Sequence, residues 1–295
     1  MPHILKETIE FLMTTIPRPS AMSASIHLTR YFTVTALNGD PGAAMSYYSL
    51  PDSILHSAEV ALVEVLQKRP QTLSDEATLE CVLKQTIPDQ DQRFAVIRSV
   101  QASAAASLSR ATLAHGGDRY FTVSHRCPHW TEGKTNALLI GFGGNLRPLA
   151  KSSSIKRLDI VDLSYSRRRK DMDLTVANLR DETGKANINV YERLEASHFR
   201  DYDVISITGS TLANGTLDKT LASISPQATV VLQGQTAAIH PKTLFEHGVS
   251  LIATTIKPSA IIELAQRDRS GDPLRDSLEG GLPWVFLTPN QKLHN

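Results

Sequence analysis

The 295-residue chain is long enough to bury a sizeable core and to form two domains. Hydrophobic residues make up 41% and charged residues 21%, a globular balance that argues against long disordered tracts. Because the formal net charge is only +1, no overall field would attract nucleic acid or an anionic membrane. Two cysteines cannot build a disulfide framework, which favours a cytoplasmic location.

The N-terminal part combines short strand patterns with helical ones. Acidic residues interrupt the first apolar run, which therefore indicates an amphipathic helix and not a signal peptide. We predict strands at 23–29, 31–37 and 43–48, and helices at 53–67, 74–83 and 92–113. No stretch approaches the roughly 18 apolar residues of a membrane span. This order indicates an α+β domain, which we place at residues 1–130.

From residue 131 to residue 295, short β-branched runs alternate with helix-length segments. The runs lie at 137–140, 157–163, 188–191, 204–208, 229–232 and 250–255, and residues 283–287 are a candidate for one more strand. Such alternation is typical of parallel strands joined by right-handed crossovers. We therefore predict an α/β fold class, with a doubly wound parallel Rossmann-like sheet after the N-terminal α+β domain.

A glycine-rich turn follows the first strand of this second part. Glycines let the backbone turn sharply and approach a ligand, and the next helix would offer free amide donors. The third position of the dinucleotide fingerprint Gly-x-Gly-x-x-Gly is Leu146, which weakens the case for a bound pyrophosphate. A purely structural turn is the alternative. The ligand contacts expected here are Gly141, Phe142, Gly143 and Asn145.

Asp162 and Leu163 follow at the end of the second strand, about 20 residues after the glycines. An acidic side chain at this position can accept hydrogen bonds from both hydroxyls of a ribose. Asp159, inside the strand, is expected to be a structural polar group. The glycine turn and Asp162 together favour a ribose-containing ligand over a Rossmann-like domain without one.

Hydroxyl and amide side chains follow the fourth strand, at the edge where open parallel sheets bind ligands. They would suit a carboxylate; the alternative is an N-capped helix with Thr216 or Asn214 as the cap. Gln233, after the fifth strand, is placed to line the same crevice. The candidate ligand contacts in this region are Thr208, Gly209, Ser210, Thr211, Asn214 and Gln233.

Two other clusters are interpreted mainly as structural. His125, Cys127 and His129 lack the paired cysteine spacing of a zinc motif. The basic run from Arg167 to Lys170 is predicted to be a solvated loop, with contact to a phosphate or an acidic ligand as the alternative. The chain has no Gly-x-Ser-x-Gly, His-Glu-x-x-His or phosphate-loop motif, so hydrolase and nucleoside-triphosphatase functions have no support.

Several segments together resemble the putative heavy-metal-chelation family: residues 207–216, the turn at 233–235, Pro241 with residues 244–248, and the glycine turn. The resemblance is specific over about 137–268. It implies an enolase N-terminal-like domain joined to a Rossmann-like domain, with a ligand cleft between the two. Many relatives carry a histidine in the first glycine turn, where this chain has Phe142 and its neighbouring glycines; we predict no metal ligand.

Together these features predict an enzyme that binds S-adenosylmethionine (SAM). Tyr47 or Tyr48 would contact the sulfonium through cation–π interaction. The enzyme would act on the aminocarboxypropyl group, by cyclisation to an azetidine-2-carboxylate-type amino acid or by transfer in chelator biosynthesis, and release methylthioadenosine. The alternatives are a non-catalytic heavy-metal or metal-chelate binding protein and an NAD(P)-dependent reductase. We expect a small-molecule substrate, no nucleic-acid or membrane partner, and a homodimer as the candidate assembly.

Overall fold

The computed structural model of the chain describes residues 3–15, 27–35, 41–50, 53–61, 95–255 and 284–290. The predicted helix at 74–83 lies outside these residues. The N-terminal helix is confirmed as α1 (His3–Thr15), which buries Ile4, Leu5, Ile9 and Leu12 on one face. The predicted helix at 92–113 is confirmed as α2 (Ala95–Ala114), whose buried alanines allow close packing against α1.

Three antiparallel strands form a small sheet in the order β1 (His27–Thr35), β2 (Pro41–Leu50) and β3 (Ser53–Ala61). The predicted strand at 43–48 is confirmed within β2. The two strands predicted at 23–29 and 31–37 are one strand over the described residues, with a register irregularity between Leu28 and Arg30.

The helix predicted at 53–67 is wrong over residues 53–61, because these residues form β3 and pair with β2 across a short connection. A short segment of mixed apolar and polar residues has no strong helical preference, so an available neighbouring strand decides its conformation.

The large sheet has eight strands in the order β4-β11-β10-β9-β8-β5-β6-β7. Its strands are β4 (Phe121–Ser124), β5 (Asn136–Ile140), β6 (Arg157–Val161), β7 (Ile188–Tyr191), β8 (Val204–Thr208), β9 (Thr229–Gln233), β10 (Leu251–Thr255) and β11 (Trp284–Pro289). Strands β5 to β10 are parallel, whereas β11 and β4 add an antiparallel edge. The predicted α/β fold class with a doubly wound, Rossmann-like sheet is confirmed.

Helices cover both faces of this sheet. On one face α3 (Leu146–Lys151) and α4 (Tyr165–Thr183) pack against alternate residues of β5 and β6, including Leu139 and Ile160. On the other face α1 and α2 pack with three short helices against Leu138 and Ile205. These short helices are α5 (Ser210–Asn214), α6 (Leu217–Ser223) and α7 (Lys242–Glu246).

Both β4 and α1 come from the part of the chain assigned to the N-terminal domain, yet they pack with the large sheet. The boundary near residue 130 stays a prediction. None of the described helices is long and apolar enough to cross a membrane.

The strand order reverses between β5 and β8, which lie side by side in the middle of the sheet. At such a point the connections leave in opposite directions and open a crevice at the carboxyl ends of the strands. The small sheet lies beside this crevice, because β3 contacts α5 and the 3-10 turn Gln235–Ala237. The fold thus places the small sheet and the ends of β5 and β8 around one crevice.

Candidate ligand site

The glycine turn is pressed against the two segments predicted to share its crevice. Gly141 has a φ of 91°, and a Cβ there would lie 2.5 Å from the Thr208 Cγ2. Gly144 has a φ of 39°, and a Cβ there would lie 2.1 Å from the Gln233 Oε1. Only glycine accommodates both the backbone conformation and the contact at these positions. The structure therefore brings the ends of β5, β8 and β9 together.

Asp162, directly after β6, ties the glycine turn to the start of α4. Its Oδ2 accepts a hydrogen bond from the Phe142 amide at 2.7 Å, and its Oδ1 accepts from both the amide and the hydroxyl of Ser164. A carboxylate has about four acceptor positions, so these three bonds leave room for about one more donor, on Oδ2. The carboxylate can therefore take one ribose hydroxyl, where the sequence predicted two. The neighbouring Leu163 is 48% exposed.

A buried polar network supports the turn from below. The Asn145 amide donates to the Gln233 Oε1 at 2.6 Å, and the Asn145 Nδ2 donates to the Ser206 Oγ at 3.0 Å. All three residues are buried. Asn145 and Gln233 thus use these groups within the protein, and their predicted contacts with a ligand stay predictions. Ser206 was not expected from the sequence, because a serine inside a strand has no distinguishing pattern.

Two amides at the top of the turn are available to a ligand. Among the described residues, neither the Gly143 amide nor the Gly144 amide has a hydrogen-bond acceptor. The half-buried Phe142 side chain instead packs with Trp130 and Val190 against the core on the α3 and α4 face. The turn therefore leaves backbone donors unused, whereas its aromatic ring packs against the core.

The segment after β8 has both free and committed polar groups. The hydroxyls of Thr208 and Ser210 lie 3.2 Å apart and are partly exposed. The Thr211 hydroxyl is buried and donates to the Thr208 carbonyl. A Cβ on Gly209 would lie 2.8 Å from the Ala237 amide nitrogen, so the chain passes close to the neighbouring 3-10 turn. Thr208 and Ser210 are the side chains of this group that a ligand could reach.

The remaining predicted contacts concern side chains outside the described part of the structure, namely those of Tyr47, Tyr48 and Asn214. Tyr47 and Tyr48 are successive residues of β2, and Tyr47 pairs with Ser57 while Tyr48 pairs with His56. Their predicted contact with a sulfonium therefore stays a prediction.

A buried arginine next to the site was not expected from the sequence. Arg98, in the alanine-rich helix α2, is fully buried and donates from Nε to the Ala213 carbonyl at 2.8 Å. This bond connects α2 to the end of α5 and so supports the segment after β8. A lone arginine among alanines gives no indication of such a role.

The two other clusters singled out in the sequence are exposed. The run from Arg167 to Lys170 lies in helix α4, so the prediction of a solvated loop was wrong about its conformation. A helix begins at Tyr165, so the basic run lies beyond the short loop that follows Asp162. His125, Cys127 and His129 lie in the loop after β4. In the described ranges, no three His, Cys, Asp or Glu side chains form a group that could hold a metal ion.

Polar clusters elsewhere hold the fold together. Asp159 is buried and bonds to Arg157, Asn189 and Tyr202; burial and the bond to Asp159 raise the pKa of Tyr202. Asp203, before β8, accepts hydrogen bonds from the Asn136 amide and from Thr135. These bonds lower the pKa of the Asp203 carboxyl.

A histidine-aspartate pair lies at the β4 side of the molecule. The buried His240 contacts the Asp118 carboxylate at 2.8 Å and is surrounded by Phe11, Tyr120 and Phe121. Burial lowers the pKa of His240, although Asp118 opposes the shift. The aromatic surroundings indicate a packed structural pair.

The comparison with known protein families agrees with this arrangement. Residues 136–266 match the family described as putative heavy-metal chelation. This stretch of the chain is similar to that family. The predicted resemblance is thereby confirmed, and it covers the glycine turn, Asp162 and the segment after β8.

Two solved structures of unknown function from this family, DUF364, share the fold. The Pyrococcus horikoshii protein has a TM-score of 0.58 and 16% identity, covering 97% of this chain and 100% of that chain. The Desulfitobacterium hafniense protein has a TM-score of 0.53 and 15% identity, covering 96% and 98%. Spermidine synthase from Thermotoga maritima is more distant, with a TM-score of 0.28, 8% identity and coverage of 94% and 83%. No curated protein matches the chain.

Proposed function

We propose that this chain is an enzyme that binds SAM at the carboxyl ends of β5 and β8 and acts on its aminocarboxypropyl group. The observation that carries the proposal is the convergence of three segments at one crevice. The glycine turn supplies amide donors, Asp162 supplies an acceptor, and the Thr208 segment supplies hydroxyls. A ribose and an amino-acid carboxylate need these groups.

The residues at the end of β6 fit an adenosyl group. Asp162 retains about one acceptor position, on Oδ2, which suits one ribose hydroxyl. Leu163 follows it with 48% of its surface exposed, and this apolar side chain would contact the adenine. An acceptor beside an apolar surface is the combination that a nucleoside requires.

The start of α3 favours a single adenosyl group over a dinucleotide. A glycine at position 146 would permit close packing of helix and strand around a pyrophosphate. Leu146 instead buries its side chain in the core with Leu149. Helix α3 also has only six residues, which limits its dipole.

The methionyl end of SAM would lie over the glycine turn and the segment after β8. Its carboxylate would accept hydrogen bonds from donors in these two segments. They are the amides of Gly143 and Gly144 and the hydroxyls of Thr208 and Ser210. Hydrogen bonds to a charged acceptor contribute about 1.5–3 kcal/mol each, so a few of them would fix the position of the methionyl group of SAM.

In the proposed cyclisation, the α-amine nitrogen of SAM attacks the Cγ of the aminocarboxypropyl chain, which is bonded to the sulfonium sulfur. A nitrogen–carbon bond forms, the carbon–sulfur bond breaks, and sulfur keeps the electron pair. The products are methylthioadenosine, azetidine-2-carboxylate and one proton. Attack by another molecule's nucleophile would transfer the chain instead, with the same leaving group. The protein's contribution is orientation of the reacting atoms in the crevice beside the small sheet.

Incubation of the protein with SAM, followed by mass spectrometry, tests the proposal. We expect methylthioadenosine, with SAM raising the thermal midpoint of unfolding. S-adenosylhomocysteine as the product would indicate methyl transfer and contradict the proposed reaction. No turnover together with no thermal shift would refute SAM binding, and NADPH fluorescence and metal analysis would then examine the two alternatives.

A further inference from the structure

Three exposed cations lie near the start of helix α4, which follows Asp162 along the chain. They are Arg167, Arg168 and Lys170, which we call the basic patch. In the described part of the chain, none of the three forms an ion pair. The patch begins five residues after Asp162, which contacts the glycine turn directly.

Arg169, between Arg168 and Lys170, differs from the basic patch because it forms an ion pair within the helix. Arg169 pairs with Asp173 at 3.5 Å and lies over the Tyr165 ring, whose hydroxyl also donates to Asp173. Asp173 thus neutralises Arg169. The three cations of the basic patch outnumber the one remaining acid beside them, Asp171, in a chain whose net charge is only +1.

The backbone departs from helical geometry within the basic patch. Arg168 has a non-helical φ of −108° and ψ of 17°, and the amides of Arg167 and Arg168 both donate to the Ser164 carbonyl. The same Ser164 bonds to the Asp162 carboxylate, so the backbone of Arg167 and Arg168 lies within one turn of that aspartate. The Asp162 carboxylate already accepts three hydrogen bonds, so most of its acceptor capacity is unavailable to them.

We infer that the basic patch is an anion subsite that takes a phosphate group beside the ribose in the crevice. Arginine binds phosphate through two parallel hydrogen bonds, which makes it suited to this recognition. The inference rests on the proposed function for the position of the adenosyl ligand. SAM carries no phosphate, so the phosphate would belong to a separate phosphorylated co-substrate bound beside it.

The experiment compares adenosine 2′,5′-bisphosphate with adenosine 5′-monophosphate by calorimetric titration of the full chain. We expect the bisphosphate to bind about tenfold more tightly, the ordinary contribution of a hydrogen bond to a charged group. The double variant Arg167→Gln/Arg168→Gln should lose this preference. The control is Lys156→Gln/Arg200→Gln. It removes two exposed cations that precede β6 and β8, at the amino ends of the strands.

A second arm identifies a separate co-substrate. Inorganic pyrophosphate is titrated into the protein saturated with SAM, and binding that the Arg167→Gln/Arg168→Gln variant loses supports the inference with that source. Absence of both effects, or equal losses in the control variant, overturns it. SAM binding is measured on the same samples. Retained SAM binding without any phosphate effect refutes only the anion subsite, and phosphate preference without SAM binding refutes only the proposed function.

Discussion

An aspartate accepts backbone hydrogen bonds at each end of the parallel strands in the large sheet. We call the side with the amino ends of the strands the amino edge and the side with their carboxyl ends the carboxyl edge. At the amino edge, Asp203 accepts hydrogen bonds from Thr135 and Asn136 and so joins the starts of β5 and β8. At the carboxyl edge, Asp162 accepts the Phe142 amide and so shapes an exposed glycine turn. The first aspartate joins two strands of the core, whereas the second stabilises a turn whose outer surface is exposed.

The difference between the edges lies in what remains unused. The glycine turn at the carboxyl edge leaves the amides of Gly143 and Gly144 without acceptors in the described structure, and partly exposed hydroxyls lie beside it. An aspartate that accepts backbone hydrogen bonds is therefore no guide to function by itself. The donors left around it distinguish a site from a structural support.

The largest expected effect is on the glycine turn. Gly141→Ala should lower the free energy of unfolding by about 3 kcal/mol, since it combines an unfavourable positive φ with a contact of 2.5 Å to Thr208. Gly184→Ala is the matched control, because Gly184 has a φ of 67° but no atom within 4 Å of an added Cβ. It should cost about 1 kcal/mol. Equal losses in urea denaturation would show that the close contact is unimportant.

Asp203→Asn should lower the free energy of unfolding at pH 7 by about 2 kcal/mol, through weaker hydrogen bonds to Thr135 and Asn136. Because the pKa of Asp203 is lowered on folding, its contribution is present above the unfolded pKa near 3.8 and disappears as pH falls through the folded pKa. Denaturation across the acid range should therefore show a shallower decline in the variant. A variant with the wild-type acid profile would contradict this assignment.

The two tyrosines of β2 should differ in their effect on turnover. Only one of Tyr47→Leu and Tyr48→Leu should slow methylthioadenosine formation, by about tenfold, because the residues lie on opposite faces of the small sheet. The unaffected variant serves as the control for folding. If neither variant slows the reaction, or both slow it equally, the proposed cation–π contact is wrong.

A smaller effect is expected at His240. Its pKa is lowered on folding, so the unfolded chain binds more protons just below pH 6.5, and the folded state loses stability as pH falls through that window. His240→Gln should flatten this part of the stability profile relative to the wild type. The charged groups facing the imidazole are Asp118 and Lys242. Identical slopes in thermal denaturation between pH 7 and pH 5 would refute the assignment.

The regular part of the fold was predictable from the sequence, whereas pairing between distant segments was not. The β-branched runs of the second half predicted the parallel strands, because buried strands need continuous apolar residues. Residues 53–61 were predicted as a helix, since their pattern alone does not show that β2 offers them a partner.

The candidate site was likewise predictable only in part. Its three segments were predictable because carboxyl ends of parallel strands meet at one edge. The network of Asn145, Gln233 and Ser206 was not, since it depends on side-chain directions across three strands. Nor could the sequence reveal that Asp162 already accepts three hydrogen bonds within the protein.

Calorimetric titration with SAM tests the central claim, that the carboxyl edge is the ligand site, most directly. The wild type should bind SAM, and Asp162→Asn should weaken binding about tenfold, since it removes the charged acceptor for the ribose hydroxyl. Asp203→Asn, at the amino edge, should bind SAM as the wild type does. No binding by the wild type, or equal weakening by the two variants, would contradict the division between the edges.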